Sequence, residues 1–151
     1  MSRLLPLALL CAGTATFLAS AIAQTPAAAP GLPRSVSPAG AKLYIVSPVD
    51  GAKVKSPVKV VFGLNGMGIA PAGIKFDNAG HHHLLIDTDL PKEIGMPLPV
   101  SEHVVHFGKG QTEASIELKP GKHTLQLLLG DHLHIPFDPV VASPKITITV
   151  E

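Results

Sequence analysis

Fifteen prolines and fourteen glycines interrupt the chain every few residues. Proline removes a backbone donor and clashes inside a helix, and glycine weakens one. A long helix is therefore hard to place anywhere, and no helix-period stretch is visible. What lies between the breakers is short, β-branched and alternating. Lys42 to Ser47 runs into the turn Pro48-Val49-Asp50-Gly51, and Val58 to Leu64 follows. His82 to Asp87, His103 to Phe107 and Thr112 to Leu118 come next. Pro120-Gly121 then reads as a hairpin turn into His123 to Leu129, where Leu125, Leu127 and Leu129 share a face. Lys145 to Glu151 ends the chain with Ile146, Ile148 and Val150 on one side and Thr147 and Thr149 on the other. Such alternation marks half-buried strands. Seven short strands with turns between them predict an all-β domain, an immunoglobulin-like β-sandwich.

The first part of the chain is of another kind. Arg3, an apolar Leu/Ala run from Leu4 and the small-residue end Ala21-Ile22-Ala23 form the pattern of a secretory signal peptide, cleaved after Ala23. No later stretch approaches the roughly 18 apolar residues of a spanning helix. Residues 24–40, dense in proline and alanine, are expected to form a disordered tether, and residues 41–151 a single domain. The expected product is soluble and exported, to the periplasm or beyond.

Processing also sets the chemistry. Removing Arg3 from the twelve basic residues leaves eleven against eleven acidic ones, so the charge is zero with histidine neutral. Nucleic acid and anionic membrane surfaces are poor partners for such a chain. Cys11 leaves with the signal, which excludes disulfides, a cysteine nucleophile, a thiolate-ligated copper centre and cysteine-attached haem. All eight histidines stay.

Those histidines are clustered: His81-His82-His83, His103 with His106, His123, and His132 with His134. Side chains at i and i+2 of a strand share a face, roughly 6.6–6.8 Å apart at Cα. His81 with His83, or His132 with His134, can thus direct two imidazoles at one ion. With His106 they make the candidate metal ligands, and Asp131, His103 and Met67 are weaker ones. Imidazole suits copper, zinc, nickel and iron, and a carboxylate can complete or orient the set. A single strand histidine is more often packed or capping than a ligand. His123, in register with Leu125 and Leu127, fits that description, and so does His82 beside Leu84 and Ile86. Met67, between two glycines, offers a thioether for Cu(I) but equally covers one end of a core. The sequence has no nucleophile elbow, phosphate-cradling loop or His-Glu-x-x-His helix, so no catalytic residue is assigned and no nucleotide is expected.

Four phrases go further. They are Phe62-Gly63-Leu64-Asn65-Gly66-Met67-Gly68, Gly80-His81-His82-His83-Leu84-Leu85-Ile86-Asp87, His106-Phe107-Gly108-Lys109-Gly110 and Leu125-Gln126-Leu127-Leu128-Leu129-Gly130-Asp131-His132. Together, over about residues 42–151, the chain resembles the bacterial exported family catalogued as domain of unknown function 4399. The resemblance supplies no activity. It implies that the histidine segments and the Gly-Met-Gly loop belong to the family pattern. At Phe137 the chain departs from that pattern, which has a second histidine there; were that position a ligand in relatives, the site here would be smaller.

The expected function is an exported histidine-rich binding module for a transition metal, copper first and zinc second. The alternative is a non-catalytic envelope interaction domain with a protein partner and structural histidines. A zinc-dependent hydrolase comes third, since it needs an open coordination position and a base.

Overall fold

The computed structural model describes residues 31–151, so the expected signal peptide and the first part of the expected tether lie outside the described residues. Among the described residues nine strands form in chain order: β1 Lys42–Ser47, β2 Lys53–Val54, β3 Val58–Asn65, β4 Gly68–Ile69, β5 Ala79–Ile86, β6 Val104–Phe107, β7 Glu113–Ile116, β8 Gly121–Gly130 and β9 Ile146–Val150. No helix occurs among the described residues, and none there is long and apolar enough to cross a membrane. The chain is all-β.

One sheet has three strands in the order β1-β3-β7. The other has six, in the order β2-β9-β8-β5-β4 with β6 also on β5. Their apolar faces meet as a β-sandwich. Leu43, Val58, Val60 and Phe62 come from the small sheet, and Leu84, Phe107, Leu125, Leu127, Leu129 and Ile148 from the large one. This is the period-2 alternation predicted above, now with one face of each strand in the core.

The expected hairpin at Pro120-Gly121 does not form. β7 pairs with β3, whereas β8 pairs with β5 and β9, so this turn carries the chain from one sheet to the other. The crossing lets Ala114 and Ile116 of β7 and the leucines of β8 face the same core from opposite sides.

β5 is the strand that positions the site. β8 lies along one edge, and β4 and β6 share the other, pairing with its first and last residues respectively. All eight of its residues are buried, because both of its faces are covered. His82, Leu84 and Ile86 face the sandwich core, and Leu85 packs outward against Leu98 and Leu128 in a second, smaller cluster. The outward face therefore lies beneath the loops that follow β5 and β8, and His81 and His83 share it.

Residues 31–40, read above as tether, lie along the domain. Ser37 donates its amide to the Asp138 carbonyl at 2.9 Å, Asp138 donates back to the Ser35 carbonyl at 2.9 Å, and Val36 bridges Asp138 in parallel.

Candidate metal centre

Four histidines meet on the outer face of the large sheet: His81, His83, His106 and His134. The first two follow from the i, i+2 rule on β5. His106 joins them because it stands directly opposite His83 in the antiparallel β5–β6 pair, where facing side chains are nearest neighbours. His134 arrives from the turn after β8. There the Asp131 and Ile135 backbones pair, and His134 adopts a left-handed φ of 66° while donating its amide to the Asp131 carbonyl at 2.9 Å.

One ring nitrogen from each of the four lies within 4.8 Å of the others. Ring centroids are 4.7 Å apart for His81–His83 and for His106–His134, and 4.8 Å apart for His81–His134. His81 Nε2 and His134 Nδ1 are 3.1 Å apart. Two nitrogens on a tetrahedral ion at the usual bond length near 2.0 Å are about 3.3 Å apart. Small ring rotations would thus bring this pair onto one ion.

His83 is the most telling of the four. It is fully buried, and neither of its ring nitrogens has a hydrogen-bond partner among the described residues. His81 Nδ1 and His106 Nε2 are likewise buried without a partner. A neutral imidazole always carries one donor and one acceptor, and each one buried unsatisfied costs roughly 1–3 kcal/mol. Burial, reinforced by the neighbouring rings, pushes the pKa of His83 down to about 3. The same causes push His81 down to about 4, against a small opposing pull from Asp131. His106 is lowered as well, by burial and then by His134. Near neutral pH these three rings are therefore uncharged, with lone pairs available. Four imidazole nitrogen donors with no carboxylate among them suit Cu(II), Zn(II) or Ni(II) and not the hard oxygen-seeking cations. The donor set fits a borderline transition metal ion.

Two glycines make room for the rings. A Cβ on Gly130 would stand 2.7 Å from His83 Cε1, and one on Gly108 would stand 2.5 Å from His106 Nε2. A Cβ at either place would collide with an imidazole.

The remaining candidates lie elsewhere. His132 is half-buried and outside the four; it lines an open cleft of about 660 Å³ with Arg34, Phe76 and Leu133. It separates from His134 because Asp131 to Ile135 is a turn and not a strand, so the i, i+2 rule does not apply. Asp131 is only 2% exposed. Its carboxylate accepts from Ser35 Oγ at 2.7 Å, the Leu133 amide at 2.9 Å and the Ile135 amide at 3.0 Å, so it shapes the turn. His103 is paired through Nδ1 with the Ile86 carbonyl at 3.0 Å, and its other ring nitrogen is 3.6 Å from Glu102. Met67 packs, partly buried, against the main core.

Two histidines expected to be structural are held by other groups. His82 faces the core beside Phe62, with ring centroids 4.9 Å apart, and its Nδ1 pairs with the Gln111 carbonyl at 3.0 Å. His123 shares parity with the core leucines, yet its ring is fixed by polar groups: Asp87 at 2.7 Å and the Lys119 carbonyl at 2.8 Å. The hydrogen bond that its Nδ1–H donates to the Asp87 carboxylate raises its pKa. Phe137 is buried in the core. What the sequence did not flag was the room-making role of Gly108 and Gly130. Their only trace is that each lies close in sequence to a histidine.

A family model described as Domain of unknown function (DUF4399) matches residues 60–151. The chain belongs to this family. The match spans β3 to the end of β9 and so includes all four clustered histidines. No curated protein and no solved structure matches the chain.

Proposed function

We propose that this member of the family is an exported metal-binding module that holds one transition metal ion through His81, His83, His106 and His134. The observation that carries it is His83: a fully buried imidazole with two unpartnered nitrogens, facing three other imidazoles. Without a ligand to accept those lone pairs, the arrangement costs stability. With an ion, each ring donates one lone pair and the cost is offset.

Copper stands first because it tops the affinity order of divalent ions at nitrogen sites, and zinc second. An export signal at the amino terminus supports access to Cu(II) outside the cytoplasm. Four protein nitrogens fill a tetrahedral or square-planar set, whereas catalytic zinc usually keeps three protein ligands and one open position. The full set favours holding or handing on an ion over hydrolysis. Calorimetric titration of the metal-free, untagged protein with Cu(II) and Zn(II) tests this. One equivalent bound at submicromolar affinity is expected. An absence of heat at micromolar protein, with demetallation verified, would refute it and return the interaction-domain alternative to first place.

A further inference from the structure

Three of the four histidines stand on paired strands, but His134 stands on a turn, in a backbone conformation that non-glycine residues seldom adopt. Something must hold it there. Asp131 does so from within the turn, its Oδ1 accepting the Leu133 and Ile135 amides on either side of His134. Its other oxygen, Oδ2, has one partner among the described residues, the Ser35 hydroxyl at 2.7 Å. Ser35 lies 96 residues earlier in the chain, in the segment before β1.

That segment also grips the residues just after the turn. Arg34 donates from Nε to the Pro136 carbonyl at 2.9 Å and from a terminal nitrogen to the Phe137 carbonyl, and it pairs with Asp138 at 3.3 Å. Ser37 follows with its amide to the Asp138 carbonyl and its hydroxyl to the Pro139 carbonyl at 2.8 Å. Residues 34–37 thus form a strap whose hydrogen bonds all go to residues 131–139, the stretch that carries His134.

We propose that the Arg34–Ser37 strap completes the metal centre, with Ser35 as a positioning residue that fixes His134 through Asp131. This rests on the metal-binding function proposed above. Ser35 touches no ligand nitrogen; it holds the carboxylate that holds the turn. Its loss would leave the three strand histidines in place and release the fourth. The segment that composition marks as a linker is then a working part of the site.

The test uses the exported protein with Ser35→Ala and Ser35→Thr, and Co(II) and Cu(II) as probes. Co(II) absorbs strongly in the visible when tetrahedral and weakly when its coordination number rises. Ser35→Ala should bind both ions tenfold to a hundredfold more weakly, as loss of an outer hydrogen bond does at other metal sites. It should also lose Co(II) absorption intensity, and Ser35→Thr, which keeps the hydroxyl, should restore both. In the metal-free protein, the nitrogen and proton resonances of His134 should move in Ser35→Ala while those of His83 stay. If Ser35→Ala does not fold, Arg34→Gln is expected to give the same loss. Affinity and spectrum unchanged in Ser35→Ala would overturn the strap's role and leave the metal site standing. Failure of the unmodified protein to bind any of these ions would overturn the metal site, and the strap's role with it.

Discussion

Acidifying the metal-free protein from pH 7.5 to pH 5 should destabilise it, and the buried histidines of β5, His81 and His83 above all, set the size of the effect. Unfolding returns His81 and His83 to the ordinary value of 6.5, whereas folding holds them at about 4 and about 3. Between those values the unfolded chain binds more protons than the folded one, so stability falls as pH drops through 6.5 and keeps falling towards pH 3. At pH 5 the span covered is about 1.5 pH units, or about 2 kcal/mol for each group at 1.36 kcal/mol per unit. Together that is about 4 kcal/mol, and His82 and His106, whose pKa values burial also lowers, add to it in the same direction. A domain of this size is stable by roughly 5–15 kcal/mol, so the loss is a large share. His123 acts in the opposite direction. Its raised pKa contributes stability below 6.5 that fades as pH rises through the folded value, but an exposed pair with Asp87 is worth about 1 kcal/mol at most. Urea unfolding followed by circular dichroism at pH 7.5, 6 and 5, with a chelator present, measures the slope. His83→Leu, which removes one titrating ring, should flatten the slope by about 1.4 kcal/mol per pH unit. A stability that is level from pH 7.5 to 5, or one that rises on acidification, would refute the assignment of buried, neutral imidazoles.

Other outcomes follow from the same geometry. His83→Ala should weaken Cu(II) and Zn(II) binding by orders of magnitude in calorimetry, while His132→Ala, outside the four, should change affinity less than threefold. Gly130→Ala and Gly108→Ala should each lower metal affinity at least tenfold, since the new methyl collides with His83 or His106; binding titrations beside far-ultraviolet circular dichroism will separate this from unfolding. Saturating metal at about a thousandfold excess over Kd should raise unfolding free energy by about 4 kcal/mol, seen as a higher Tm that falls back on adding chelator. His123→Ala should cost about 1 kcal/mol in urea unfolding through its lost hydrogen bonds to Asp87 and Lys119, with metal affinity unchanged.

Much of the fold was legible because alternation is local. Residues such as Thr147 and Thr149 opposite Ile148 and Val150 announce a half-buried strand without reference to anything distant. β2 and β4, two residues each, are too short to show a period. The route at Pro120-Gly121 was misjudged for a different reason: a Pro-Gly turn between two alternating runs looks the same whether the runs pair or part. Within the site, His81 and His83 were legible as an i, i+2 pair, and His106 as a histidine on a neighbouring strand. The likeness of His132-Leu133-His134 to the first pair misled, because the Asp131 side chain folds that stretch into a turn and leaves only His134 with the group. The contacts of Arg34 and Ser35 had no local signature at all; their partners lie 96 (Ser35 to Asp131) to 104 (138 − 34) residues away. Proline-rich composition describes what such a segment cannot form alone, not what it can lean on.

The unequal mounting of the four ligands has a kinetic consequence. His81 and His83 sit on a strand bonded along both edges and covered on both faces, so they cannot swing out without breaking the sheet. His134 hangs on a turn held mainly by hydrogen bonds. Under the proposed function, passage of a bound ion in or out would be gated by that turn, since local opening of a few residues takes far less free energy than opening the sheet. Once the turn swings free, a chelator captures the ion at once, so the gate and not the chelator sets the pace. Release should level off to a constant rate as chelator concentration rises, and that ceiling reads out how often the turn lets go.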